Sequence, residues 1–180
     1  MKWVWWSLGI GSGIALIVFG NKKRVEKKLS EVQLSKNFKL SEFVKTSTGI
    51  DNIPTPEAVQ NLELLVQNIL QPLRDAVGKP IRITSGYRSP AVNAAVSGSS
   101  TTSQHMKGQA ADIQIDGMTN QEIIDTVRRL RLPYDQIIDE QLRGSKWIHV
   151  SYVRNGSRRA WLTARDKPGG GTLYAEVMRG

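Results

Sequence analysis

The sequence predicts an α+β domain, with a small, central, largely antiparallel sheet and flanking helices, preceded by one N-terminal transmembrane helix. Three observations predict it. Short β-branched, alternating runs recur in "IRITS", "AADIQI", "YDQIIDE" and "WIHVSY", which is the pattern of half-buried strands. Helical periodicity separates them over residues 55–77 and 119–130, and the later strands lie close in sequence, as in a mixed α+β domain. Residues 3–20, "WVWWSLGIGSGIALIVFG", carry no charge at all.

That last segment would span about 27 Å as a helix, close to the hydrocarbon thickness of a bilayer. Trp3, Trp5 and Trp6 cluster at one end, as interfacial aromatics do, and the basic run "NKKRVEKK" follows directly. Residues 1–20 are therefore expected to anchor the chain in a membrane by a single pass, with residues 21–37 as a basic stalk. Gly9 and Gly13 have the spacing of a close-packing helix pair, a weak signal alone. The basic run favours a domain held inside, whereas a weakly apolar anchor that releases late would leave the domain outside. The expectation favoured here is a domain on the cell-wall side.

The folded domain is expected over residues 38–153. Thr55 followed by Pro56 starts a helix. Val59, Leu62, Leu65, Val66, Ile69, Leu73 and Val77 give it one apolar face, Pro72 should kink or split it, and Gly78 and Pro80 end it. "TNQEIIDTVRRL" opens with a capping box, Thr119 to Glu122, and continues as an amphipathic helix. Residues 154–180, with "KPGGG", read as a loop-rich tail.

The chain has 180 residues, enough for one ordinary domain with an appendage, and its 39% hydrophobic content suffices for a core. It has no cysteine, which excludes disulfides and thiolate-ligated metals. The net charge of +9 favours an anionic partner such as cell-wall polymer. No basic and aromatic interleaving marks a nucleic-acid surface, so no nucleic-acid partner is expected.

The two histidines are the informative residues. His105 lies in "SQHMKGQAAD", a polar turn that runs into the strand carrying Asp112, and His149 lies in "WIHVSY". Two imidazoles and a carboxylate suit a catalytic zinc, which needs three protein ligands and an open position. On spacing alone, a lone histidine in a strand is more often a satisfied structural residue than a ligand. Ser103 either bonds the backbone of the His105 turn or binds substrate. Gly108 is expected to supply a conformation that other residues resist. Tyr87 reads as packing, Trp147 as core, Trp161 as core or groove, and Asp135 and Gln136 as candidates to orient ligands.

"SQHMKGQAAD" matches S-x-H-x-x-G-x-A-x-D, and on it the chain resembles the zinc D-Ala-D-Ala metallopeptidases of the M15 family. "LSEF", "QPLRDAVGKPI", "SGYRS", "VNAAVSGS", "DQIIDE" and "WIHVS" resemble the same family in the same order, so the likeness covers about residues 38–153. It implies a zinc ion (Zn2+) on His105, Asp112 and His149, a D-Ala-D-Ala carboxypeptidase-like fold, and hydrolysis of peptidoglycan stem peptides as carboxypeptidase or endopeptidase. It implies that Arg88 in "SGYRS" faces the substrate, where a guanidinium grips a carboxylate or stabilises an oxyanion. Several branches carry the catalytic acid three residues before the last histidine, where this chain has Lys146. Glu140 is the replacement expected here. If "YDQIIDE" and "WIHVSY" pair antiparallel, Glu140 lies beside His149 and Asp139 points to the opposite face. The rival expectation, prompted by Lys146, is a non-catalytic structural or wall-binding member of the fold.

Overall fold

The computed structural model describes residues 29–179. A two-stranded hairpin, β1 (Gln33–Ser35) and β2 (Phe38–Lys39), leads into the short helix α1 (Leu40–Phe43). A long helical stretch follows: α2 (Pro56–Leu65), a π turn (Val66–Leu70) and α3 (Gln71–Val77). Then come β3 (Ile81–Ser85), α4 (Pro90–Ala95), a 3-10 turn (Gln104–Lys107), β4 (Ala110–Ile115) and α5 (Asn120–Arg129). Four strands close the chain: β5 (Gln136–Leu142), β6 (Ser145–Ser151), β7 (Ala160–Asp166) and β8 (Thr172–Arg179).

The helix boundaries follow their local chemistry. The Thr55 hydroxyl accepts from the Ala58 N–H, 3.1 Å away, and Pro56 needs no donor in the first turn. Pro72 lacks the N–H that would continue the ladder, and its ring crowds the preceding turn. The chain widens into the π turn just before it, so the helix is split without being broken. Gly78 ends α3 in the left-handed conformation, φ 65°. At α5 the capping box forms as expected: Glu122 accepts from the Thr119 N–H at 2.7 Å, and Thr119 from the Glu122 N–H at 3.2 Å.

β3 to β8 form one six-stranded sheet in the order β3-β4-β6-β5-β7-β8. One face carries Ile113, Ile137, Ile148 and Val150 and packs with Leu62, Leu65, Ile69, Ile123 and Ile124 of the helices into a single core. Among the described residues no helix layer covers the other face, which carries the site. The core also takes in Leu29, Leu34 and Phe38, so the folded body begins before the expected residue 38 and includes part of the expected stalk.

The expected α+β class with a largely antiparallel sheet is refined on one point and corrected on another. The sheet is mixed, because β7 runs parallel to β5. The cause is geometric: β6 already has β4 on its other side, so the chain leaving β6 crosses the end of β5 and fills its free edge in the same direction. β8 then pairs antiparallel with β7, and residues 160–179, expected as a loop-rich tail, are two strands around the Gly169–Gly171 turn. Second, no helix among the described residues is long and apolar enough to cross a membrane. The longest stretch is amphipathic, with Glu57, Glu63 and Asp75 on its outer side. The expected transmembrane helix, and with it single-pass anchoring of a domain on the cell-wall side, is therefore not carried forward; residues 1–20, where that helix was read, lie outside the described residues.

Candidate metal centre

Three side chains meet on the open face of the sheet. Asp112 of β4 and His149 of β6 are direct cross-strand partners, so their side chains leave the same face side by side. His105 arrives from the 3-10 turn that feeds β4. Ser103 caps that turn, its hydroxyl accepting from the His105 N–H at 3.3 Å. Gly108 ends it at φ 67°, and a β-carbon there would lie 2.2 Å from the carbonyl oxygen of Ala58. The glycine is thus required both for its backbone conformation and for the close approach to α2.

The trio is buried and mutually close. His105 Nε2 lies 3.2 Å from His149 Nδ1 and 3.2 Å from Asp112 Oδ1, and His149 Nδ1 lies 3.1 Å from the same oxygen. His105 Nδ1 is 2.7 Å from the Gly86 carbonyl, which can only accept. Nδ1 therefore carries a proton, and Nε2 faces a carboxylate oxygen. Acceptors facing one another in a buried triangle call for a cation or shared protons between them. Zinc fits the dimensions: ligands about 2.0–2.1 Å from a tetrahedral ion stand about 3.3–3.4 Å apart. His105, Asp112 and His149 are thus a group able to hold a metal ion.

The surroundings fix the carboxylate. Arg88 Nη2 donates to Asp112 Oδ2 at 2.9 Å and Arg88 Nε to Ser85 Oγ at 3.0 Å, leaving Oδ1 for the histidines. Burial opposes ionisation of Asp112, yet His105 and His149 outweigh it and hold the carboxyl well below the usual range. Gly86 is constrained by close approach alone, since a β-carbon would lie 2.4 Å from the Phe43 carbonyl oxygen. Its role as acceptor for His105 had no signal beyond its place in "SGYRS".

Glu140 of β5 pairs across with Trp147 of β6, two residues before His149, and so stands on the metal-centre face. Burial first, then the charge of Asp112, push its carboxyl up to about 7 against the opposing pull of His149 and Arg88. The Trp147 indole N–H approaches this carboxyl without forming a well-aligned hydrogen bond. Asp139 turns to the helix face, where it meets Asn120 and Arg165. Lys146 is exposed and alternates away from His149, so it takes no part in the centre.

A cleft of about 750 Å³ opens over the trio. Arg88, Ser103, Gln136, Glu140 and Trp147 line it, joined by Leu162, Thr172 and Tyr174 from the last two strands. Of the two tryptophans, only Trp147 departs from its expected place. Trp147 faces the cleft, while Trp161 packs on the helix side with the Arg128 guanidinium 4.7 Å from its ring centre. Tyr87 is buried packing, as read. Asp135 is buried and accepts from Gln104 Nε2 at 3.0 Å and from the Arg158 N–H at 2.7 Å. It thereby ties the residue before His105 to the segment that follows β6.

A family model described as Peptidase M15 matches residues 36–151. No curated protein matches the chain. The matched segment contains Arg88, Ser103, His105, Asp112, Glu140 and His149 and stops before β7. With the buried His–Asp–His group already placed on the sheet, that match assigns the chain: it belongs to the peptidase M15 family.

Proposed function

We propose that this protein is a zinc-dependent peptidase that hydrolyses peptidoglycan stem peptides, as a D-Ala-D-Ala carboxypeptidase or an endolysin-type endopeptidase. One observation carries the reading. The buried triangle of His105, Asp112 and His149 has the dimensions of three ligand positions around zinc and opens into a cleft beside Glu140. When bound, zinc supplies Lewis acidity that polarises a scissile carbonyl and lowers the pKa of a water to about 7.

The chain supplies the rest. Glu140 accepts the proton of the attacking water and passes it to the leaving amine. A carboxyl poised near 7 suits both halves of that transfer. Arg88 gives Nη2 to Asp112 and Nε to Ser85, which leaves Nη1 to meet a substrate carboxylate or a developing oxyanion. Ser103 lines the cleft next to the His105 turn and is placed to bond substrate backbone. The substrate class follows from the family resemblance, and the net positive charge suits an anionic wall. Lys146, the residue that favoured a non-catalytic wall-binding member, is outside the cleft, and Glu140 offers the carboxylate in its stead.

The test is bound zinc measured by elemental analysis, together with incubation of the same protein with purified peptidoglycan and a stem pentapeptide, products read by mass. About one zinc per chain and a defined peptide cut are expected. Glu140→Gln should keep the zinc and lose about 10²–10⁴ in turnover. A zinc-loaded protein that leaves both substrates intact would overturn the peptidase reading in favour of the wall-binding one.

A further inference from the structure

The last two strands lie beyond the segment that matches the family, yet they build one wall of the cleft. Registry shows how. Glu140 of β5 is level with Ala164 of β7, and Ala164 is level with Tyr174 of β8. The three form one row across the open face, with the outer two about 10 Å apart at their α-carbons. The residue between them is an alanine, fully buried although it stands on the open face. A tyrosine and a glutamate on either side of so small a residue can lean together above it. The phenol oxygen of Tyr174 makes no hydrogen bond to any described residue, and the ring is half exposed on the cleft. Leu162 and Thr172 flank it on the same wall.

We propose that Tyr174 is a substrate-binding residue of the active site, its phenol donating a hydrogen bond to a backbone carbonyl of the peptide that lies over the metal centre. The inference rests on the peptidase reading above and extends it to residues outside the family segment. Its chemistry is specific. The phenol is favoured as the neutral donor, because burial and the charges of Glu140 and Asp112 oppose its ionisation. A peptide strand in the cleft presents carbonyl acceptors at regular intervals, and a rigid aromatic wall orders it at little entropic cost. Tyr174 thus acts from the side of the cleft opposite Arg88, so the substrate is gripped between β8 and the "SGYRS" segment.

The test uses the full chain loaded with zinc and compares Tyr174→Phe, Tyr174→Ala and Leu173→Ala. Leu173 neighbours Tyr174 on β8 but points to the other face, level with Arg165, and controls for damage to the strand. Hydrolysis of a stem pentapeptide is measured as kcat/KM. Peptide affinity is measured by calorimetry in a Glu140→Gln background, with and without Tyr174→Phe. Loss of one hydrogen bond should lower kcat/KM and weaken binding by about three- to tenfold in Tyr174→Phe, and Tyr174→Ala should lose more. Zinc content should stay near one per chain, and Leu173→Ala should cleave as the wild type does. Turnover and affinity within twofold of wild type in both Tyr174 variants would overturn the proposal and leave the peptidase reading intact. So would an equal loss in Leu173→Ala, or a loss of zinc with Tyr174→Ala. A wild-type protein that cleaves no peptide overturns the peptidase reading, and this inference falls with it.

Discussion

Glu140 gives the sharpest test of the site's electrostatics, because its effect appears in stability before any substrate is added. Its carboxyl is raised from 4.5 to about 7 in the folded, metal-free protein, first by burial and then by the charge of Asp112. A group whose folded pKa lies above its unfolded one adds stability that is complete below about pH 4.5 and is lost as pH rises through about 7. The difference of about 2.5 in pKa is worth about 3 kcal/mol. The metal-free wild type should therefore lose up to about 3 kcal/mol at this group between pH 5 and pH 8.5. Glu140→Gln stays neutral throughout and should not show this loss. Urea unfolding of both proteins in chelator, at half-unit pH steps, measures it as a gap that opens with rising pH. The variant should gain on the wild type up to pH 8.5, and zinc should narrow the gap by favouring the ionised carboxyl. A constant difference between the two proteins from pH 5 to pH 8.5 would refute the reasoning and place Glu140 in contact with solvent.

Arg88→Ala strips Asp112 Oδ2 of its partner, and zinc affinity should fall about 10- to 100-fold, read by competition with a chelating dye. Gly108→Ala puts a β-carbon 2.2 Å from the Ala58 carbonyl oxygen in a left-handed position, and should destabilise the fold by more than about 3 kcal/mol by urea denaturation. Lys146→Gln changes an exposed residue on the face away from the centre, so stability should move by less than about 0.5 kcal/mol and turnover should be unchanged. A large loss of turnover in that variant would return Lys146 to the site.

What was legible in the sequence depended on how local its cause was. The His105 turn and the Asp112 strand are contiguous, so the spacing of one motif carried both. The separation of Glu140 from Asp139 needed only the alternation of a strand and one correct pairing. The same alternation, counted back from His149, puts Trp147 on the cleft face, and that signal was there to be used. The parallel pairing of β5 and β7 had no such local cause. It depends on which edge is vacant once β4 has docked on β6, a fact about three strands distant in sequence. Reading the last strands as a loop followed from giving "KPGGG" more weight than the alternation of "AWLTARD" and "TLYAEV" around it.

That misreading bears on function, because it hid one wall of the site. The helices cover one face of the sheet, and the open face is as wide as the number of strands that build it. With β3, β4, β6 and β5 alone, the metal-centre residues would lie near an edge, and Glu140 would stand on the outermost strand. β7 and β8 move that edge two strands away. They bury Ala164, flank Glu140 and help to keep its carboxyl from water. A proton acceptor with its pKa near neutrality needs such shelter on both sides, from Trp147 on β6 and from Leu162 and Tyr174 on β7 and β8. The C-terminal strands are therefore part of what tunes Glu140, although the recognisable motif ends before they begin.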